Sequence, residues 1–382
     1  MAVTCGMAVA NLYYNQPLLA DIGRTFHTTA QQVGIISMCT QIGYALGMFL
    51  FVPLGDMVER RRMILLLLVA VTVSLVGVAT APNMVWMDVA SLAVGITTVV
   101  PQMLVPLAAH MATPGERGRV IGQVMSGLLI GILLARTVAG FIGGTWGWRS
   151  MYWVAACSML VLAIVLRFLL PESHPETQLK YRQLMKSIGQ LIVEQSTLRE
   201  ASIVGAMLFG AFSVFWTVLA FFIGGPPYHY GSQVAGLFGL VGVVGATAAP
   251  VSGRLADKFS AKTVVGIATL ITLVSFLTFW LFGYHLWGLL LGVILLDLGV
   301  QGAQISNQTR IYSLVPEARN RLNTVFMVTY FIGGSIGSSV GSYAWSLWHW
   351  TGVCVVGSLM IVMALLVWGA HRVNFHGSAR RI

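Results

Sequence analysis

Two charged residues sit where charge is expensive. Arg136 lies inside the apolar stretch Gly122–Gly144, GQVMSGLLIGILLARTVAGFIGG, and Asp297 lies inside another apolar run. A central arginine in a membrane helix costs about 2.5–3.5 kcal/mol on insertion scales, so it must face a partner, a water-filled cavity or an anionic ligand. A carboxylate at similar depth can take up and release a proton, and an arginine that engages it in only one state would time that exchange. A purely structural ion pair is the alternative, although such pairs often fail to offset their desolvation. Polar and aromatic residues interrupt other apolar runs: Tyr13, Tyr14, Asn15 and Gln16, then Gln102, Trp216 and Thr217, then Gln301 and Gln304. Each alone suits packing or an interhelical hydrogen bond. Together they describe an amphipathic pocket for a small molecule.

The elements that position these residues are membrane helices. Hydrophobic residues make up 57% of the chain, mean hydropathy is +0.82 and only 9% of residues are charged, against roughly a quarter in soluble domains. Runs of about 20 apolar residues can span a bilayer, and twelve are present: 2–20, 31–54, 63–81, 84–111, 119–142, 149–170, 201–224, 232–254, 263–283, 286–309, 322–346 and 350–371. All are expected to be helices, because an open strand edge cannot be satisfied in lipid. The first run is barely long enough and carries Asn11, Asn15, Gln16 and Pro17, so further residues upstream are expected. It lacks the charged flank and cleavage site of a signal peptide. At a rise of about 1.5 Å per residue, Arg136 falls about 15 Å below Trp146 and Asp297 about 18 Å below His285, which puts both near the midplane.

Charges in the loops set the orientation. Arg60, Arg61 and Arg62 follow the second run, Arg117 and Arg119 the fourth, a cluster from Arg167 to Arg199 the sixth, Arg254, Lys258 and Lys262 the eighth, and Arg310, Arg319 and Arg321 the tenth. Only Arg24 and Arg149 fall on the other side, so both termini are expected in the cytoplasm of a multi-pass protein. The net charge of +10 is therefore topogenic, and no nucleic-acid partner is expected. The one long polar connection, 171–200, separates a bundle over 1–170 from a bundle over 201–371, with a tail over 372–382. Within it Leu184, Ile188 and Leu191 share a helical face, which suits a helix on the inner membrane surface or a solvated linker helix. The halves repeat roughly 200 residues apart: Asp56 matches Asp257, Gln102 matches Gln304, Gly131 matches Gly333, and Trp146 and Trp148 match Trp348 and Trp350. Parallel six-helix repeats suit transporters that rock about a midplane site. Arg136 and Asp297 have the uncharged mates Ser338 and Gly95.

Small residues supply packing faces. Gly127 and Gly131 begin a stripe that continues through Ala135, Ala139 and Gly143, and Gly333, Gly337 and Gly341 form another. The match of the latter to G-x-S-x-G is discounted, because a nucleophile elbow needs a strand-turn-helix setting. Cys5, Cys39, Cys157 and Cys354 are dispersed, and no histidines stand at ligand spacing. No metal, cofactor or enzymatic activity is expected.

Gly253-Arg-Leu-Ala-Asp257-Lys258-Phe-Ser-Ala-Lys262 resembles the G-x-x-x-D-[RK]-x-G-x-[RK] signature of the major facilitator superfamily. Val52-Pro-Leu-Gly-Asp56-Met-Val-Glu59-Arg60-Arg61 is a second, partial copy, with Val52 and Glu59 in place of its glycines. The resemblance implies an all-α membrane protein of twelve transmembrane helices in two pseudo-symmetric six-helix bundles. It also implies a cytoplasmic gate formed by Asp56, Arg60, Arg61, Asp257, Lys258 and Lys262, with the aspartate capping a helix N-terminus near Leu322–Thr324. Gly122-x8-Gly131-x3-Ala135-Arg136-x2-Ala139-Gly140 is similar to the antiporter signature G-x8-G-x3-G-P-x2-G-G, with Ala135, Arg136 and Ala139 departing from it. The arginine that drug antiporters usually carry in helix 4 is Ser91 here. Ala10-Asn-Leu-Tyr-Tyr-Asn-Gln-Pro-Leu-Leu19, with Arg136, resembles a bacterial branch of these drug:proton antiporters. In the superfamily fold helices 5 and 10 approach each other, so the resemblance implies that Arg136 and Asp297 can meet.

The expected function is secondary transport in the bacterial plasma membrane: proton-coupled efflux of an amphipathic or cationic compound by a monomer. The proton is the coupling ion, and the lipid bilayer and a small-molecule substrate are the partners. The alternatives are a carrier of an anionic metabolite bound by Arg136, and a non-transporting receptor or scaffold.

Overall fold

Local chemistry sets where the helices start and stop. The computed structural model describes all residues except 56, 112–115, 172–180, 247–259, 316–317 and 379–382, and the backbone alone at 109–110, 117–118, 243–246 and 371–378. Its helices are α1 (Ala2–Ala10), α2 (Leu19–Phe26), α3 (Ala30–Leu54), α4 (Arg60–Ala79), α5 (Met84–Thr97), α6 (Val100–Met111) and α7 (Arg117–Trp146). There follow α8 (Trp148–Leu169), α9 (Tyr181–Glu194), α10 (Ser196–Gly224), α11 (Ser232–Ala246), α12 (Ala261–Phe282), α13 (Leu286–Tyr312) and α14 (Arg319–Ser378). A capping box opens α3, with the Gln32 N–H donating to Thr29 Oγ1 at 3.3 Å and the Thr29 N–H to Gln32 Oε1 at 3.1 Å. Asn83 and Ser260 cap α5 and α12 by accepting from the backbone N–H groups of Trp86 and Thr263.

Among the described residues nine helical stretches are long and apolar enough to cross a membrane, α5 and α6 counting as one. The last, Arg319–Ala370, is two spans joined at His349, where φ 49° and ψ −139° interrupt the helix. With α1 and α2 as the first span and α11 as the eighth, the chain has a twelve-span architecture.

The first span departs from the expected run 2–20. It continues to Phe26, where His27 ends α2 in the left-handed region at φ 51°. Arg24 is accommodated near that end by an ion pair to Asp21 at 2.7 Å. The span is also broken. Between α1 and α2 the backbone tightens to i→i+3 bonds, including Tyr13 N–H to the Ala10 carbonyl at 2.9 Å and Leu18 N–H to the Asn15 carbonyl at 2.9 Å, and Pro17 supplies no donor. A second correction concerns α9. Leu184, Ile188 and Leu191 are 5%, 3% and 7% exposed, so protein covers this apolar face instead of leaving it to lipid or solvent.

The chain forms two units, Met1–Leu184 with Leu219–Leu240, and Met185–Val218 with Val241–Ile382. In the first, Gly127 and Gly131 of α7 lie against Ala2 and Gly6 of α1. Further along the same helix, a Cβ on Gly140 would sit 2.8 Å from the Gly236 Cα of α11. In the second unit, Gly333, Gly337 and Gly341 of α14 lie against Ala206, Gly210 and Val214 of α10. Close backbone approach of this kind is what small residues permit in lipid, where helices have no hydrophobic drive to associate. The repeat extends to tryptophans: Trp146 and Trp348 are 66% and 63% exposed, whereas Trp148 and Trp350 are 4% and 2% exposed.

Candidate functional site

The interruptions carry much of the polar chemistry of the first unit. Tyr13, Tyr14, Asn15 and Gln16 are all buried on the tight segment between α1 and α2. Asn15 Nδ2 donates to Thr40 Oγ1 at 3.2 Å, and that hydroxyl donates to the Ile36 carbonyl at 2.8 Å. A similar break separates α5 from α6. Thr98 N–H bonds back to the Gly95 carbonyl and Gln102 N–H to the Val99 carbonyl, while Pro101 has no donor. Gln102, just past this break, donates from Nε2 to the Tyr44 hydroxyl at 3.1 Å. Discontinuous helices of this kind are the usual way a membrane transporter exposes polar groups at depth.

Arg136 is tied to the first of these interruptions. It is 1% exposed in α7. Its Nε donates to Gln16 Oε1 at 2.6 Å, and its guanidinium carbon lies 4.9 Å from the centroid of the Tyr13 ring. A charge-assisted bond and a cation–π contact thus orient the group from the same interrupted segment. Its stem is held from the other side by α11, where a Cβ on Gly239 would fall 2.9 Å from Arg136 Cβ. The next residue, Thr137, donates from Oγ1 to the Gly236 carbonyl at 3.0 Å.

We expect Gln16→Leu to cost about 1.5–3 kcal/mol, the range for a hydrogen bond to a charged group. Thermal unfolding in detergent should show that loss in an Arg136 background and much less of it with Arg136→Leu already present, the signature of direct coupling.

The second unit uses the same helix crossing without charge. Thr217 Oγ1 of α10 donates to Ser338 Oγ of α14 at 2.9 Å. Ser338 is the repeat mate of Arg136, so the two crossings correspond. Asp297 is 3% exposed midway along α13, and two residues further on Gly299 lies against Thr272 of α12. Further along α13, Gln304 Oε1 accepts from the Tyr330 hydroxyl at 3.2 Å, and the Tyr330 ring stacks on Phe209 at 4.1 Å. Phe209 stacks on Phe212, which leans on Trp216, giving an aromatic wall along α10. Gln301 is partly buried. Arg136 belongs to the first unit and Asp297 to the second.

Of the expected gate residues, Asp56, Asp257 and Lys258 lie outside the described residues. Arg60 is buried, with Nε donating to the Gly55 carbonyl at 3.1 Å, and Arg61 Nη2 donates to the Arg167 carbonyl at 2.5 Å. The Lys262 carbonyl accepts from Trp368 Nε1 at 2.9 Å.

The sequence reading missed one charged group. Arg310 Nη1 and Nη2 donate to Glu200 Oε1 and Oε2 at 3.2 and 2.5 Å, and Nη1 also donates to Asn307 Oδ1 at 3.1 Å. The two side chains are only 9% and 2% exposed. Arg310 reads as a loop charge and Glu200 as the end of a polar connection, yet both lie within spanning helices. The available signal was the helical register that brings Asn307 beneath Arg310.

The Major Facilitator Superfamily model matches residues 1–251 and 228–377. The chain belongs to this superfamily. Among relatives, a protein of Escherichia coli strain K12 named as the transporter YgaY is 42% identical over 374 residues, 97% of this chain and 95% of its own. A Streptomyces coelicolor protein named as the transporter SCO4007 is 32% identical over 364 residues, 95% of this chain and 84% of its own. The solved structure of a mutant of the nucleoside transporter NupG aligns with a TM-score of 0.79 at 12% identity, covering 97% of this chain and 98% of that one. At that identity the likeness is one of fold. The chain is thus a multi-pass membrane transporter of the major facilitator type, with two pseudo-symmetric six-helix bundles.

Proposed function

We propose that this transporter is a proton-coupled antiporter of the bacterial inner membrane, with both termini in the cytoplasm, exporting a small amphipathic or cationic compound by alternating access. The observation that carries the reading is a carboxylate, Asp297, 3% exposed midway along a spanning helix of a chain that also buries Arg136. Asp297 is the group that takes up and releases the proton. Arg136, aimed by Gln16 and Tyr13, is the buried cation assigned to the coupling step of the cycle. The aromatic wall of Phe209, Phe212 and Trp216, with Gln304 and Tyr330, supplies apolar faces and polar atoms suited to an amphipathic cargo. The small-residue pattern of α7 supports membership of the antiporter branch. The test is purified protein in liposomes enclosing a pH-sensitive dye, challenged with cationic, neutral and anionic compounds. Opposed movement of a proton and a cationic or amphipathic compound supports this function. Transport of such compounds without proton movement overturns it.

The orientation of Arg136 also favours a second reading, a carrier whose guanidinium binds an anionic metabolite. Anion transport should then persist at a reduced level in Arg136→Lys and vanish in Arg136→Ala. Equal loss in both variants, measured by uptake of labelled anions, removes this reading.

A further inference from the structure

We infer that the cavity between the start of α4 and the end of α8 is a binding site for the headgroup of an anionic phospholipid. The cavity has a volume of about 470 Å³ and is lined by Glu59, Arg61, Arg62, Leu65, Arg167 and Phe168. That volume lies within the range of about 300–1,000 Å³ typical of small-molecule sites. Three arginines against one glutamate make it basic. Arg61 holds the two helix ends together through its 2.5 Å bond to the Arg167 carbonyl, while Arg62 and Arg167 are exposed at the rim. Guanidinium forks match phosphate oxygens bidentately, which makes the phosphodiester the chemistry that this lining selects.

What separates a lipid from a free phosphate is the apolar surface leading away from the cavity. Below Arg62, Leu66, Val69 and Val73 follow at helical spacing on α4 and are 63%, 49% and 67% exposed. On α8 the corresponding stripe runs from Trp153 through Leu160, Val161 and Ile164 to Phe168, which is 79% exposed. Both stripes therefore start in the apolar body of a span and end at the arginines. A phosphodiester seated among Arg61, Arg62 and Arg167 would have its acyl chains beside these stripes, an arrangement that a soluble anion does not use. The inner leaflet, where anionic headgroups attract basic residues near the membrane surface, is the side to which the loop charges assign these helix ends. That cytoplasmic orientation rests on the proposed function, but the binding test below does not depend on it.

Native mass spectrometry of the full chain in detergent, titrated with phosphatidylglycerol, reads the site directly. Wild type should retain phosphatidylglycerol over phosphatidylcholine. Arg62→Gln with Arg167→Gln should bind it roughly thirtyfold more weakly, at roughly fivefold per basic residue near a membrane surface. Glu59→Gln, which removes the one acidic lining group, should bind it more tightly, and this gain of affinity cannot come from misfolding. Soluble glycerol 3-phosphate should not compete. Unchanged affinity in the arginine and glutamate variants, or equal retention of phosphatidylcholine, overturns the site. Competition by glycerol 3-phosphate at the same concentration as the lipid overturns the lipid assignment in favour of a free anion.

Discussion

Proteoliposomes carrying Asp297→Asn should show no substrate-driven proton movement above that of empty vesicles. Asparagine preserves the size of the side chain and its capacity to hydrogen-bond, so packing along α13 is retained and the buried site loses only its titratable group. The variant should therefore fold, and it should still bind cargo and exchange it down a concentration gradient. Loss of coupled movement with retention of cargo exchange is the outcome that distinguishes a proton carrier from a structural carboxylate, because a structural role would show first in the folded yield. Undiminished coupled transport by Asp297→Asn would remove Asp297 from the mechanism. The companion variant Asp297→Glu keeps the acid and lengthens its reach, and it should recover part of the coupled signal.

Glu200→Leu should be among the most destabilising single substitutions in the second unit, costing about 3–5 kcal/mol. Removal of the carboxylate leaves Arg310, only 9% exposed, with a buried charge whose bidentate partner is gone. Arg310→Leu should be costly by the same reasoning. Replacing both by leucine should recover most of the loss, since a buried ion pair exchanged for apolar side chains is often neutral or better. The three variants form a closed cycle measurable by thermal unfolding in detergent, and a double variant whose loss equals the sum of the two single losses would show that the pair does not act as a unit. If Glu200 and Arg310 serve the transport cycle as well, the double variant will be stable but slow, which a proteoliposome flux assay on the same preparation reads.

How much of this was legible beforehand depended on how each residue contrasts with its surroundings. Arg136 and Asp297 stood out because a charge in an apolar run is costly enough to need a reason. The spans were legible because twenty apolar residues are a length signal, and the repeat was legible because tryptophans and glycines recur at one offset. The hydrogen bonds that orient Arg136 were not. Gln16 is separated from it by 120 positions, and the packing of the first span on α7, at Gly127, Gly131 and Gly143, brings the two together. Pro17 marked one end of the interruption in the first span, but the i→i+3 bonds that begin at Asn11 follow no residue-type rule. Glu200 escaped notice because hydropathy assigns charges near a span end to the loop, whereas the helix continues beneath it. The amphipathic spacing of Leu184, Ile188 and Leu191 identified an apolar face and could not say whether lipid or protein would cover it.

The interrupted first span bears on how the protein is made. Its tight segment replaces regular helical bonding with weaker i→i+3 bonds, and backbone groups left without good partners cost several kcal/mol each in hydrocarbon. The side chains that accompany the break find theirs later in synthesis: Asn15 on Thr40 in the second span, and Gln16 on Arg136 in the fifth. As the ribosome delivers the chain, this span thus emerges before the spans that complete it. Until α7 arrives, its polar segment must remain hydrated or guarded by the insertion machinery, and Arg136 enters the membrane with its acceptor already waiting.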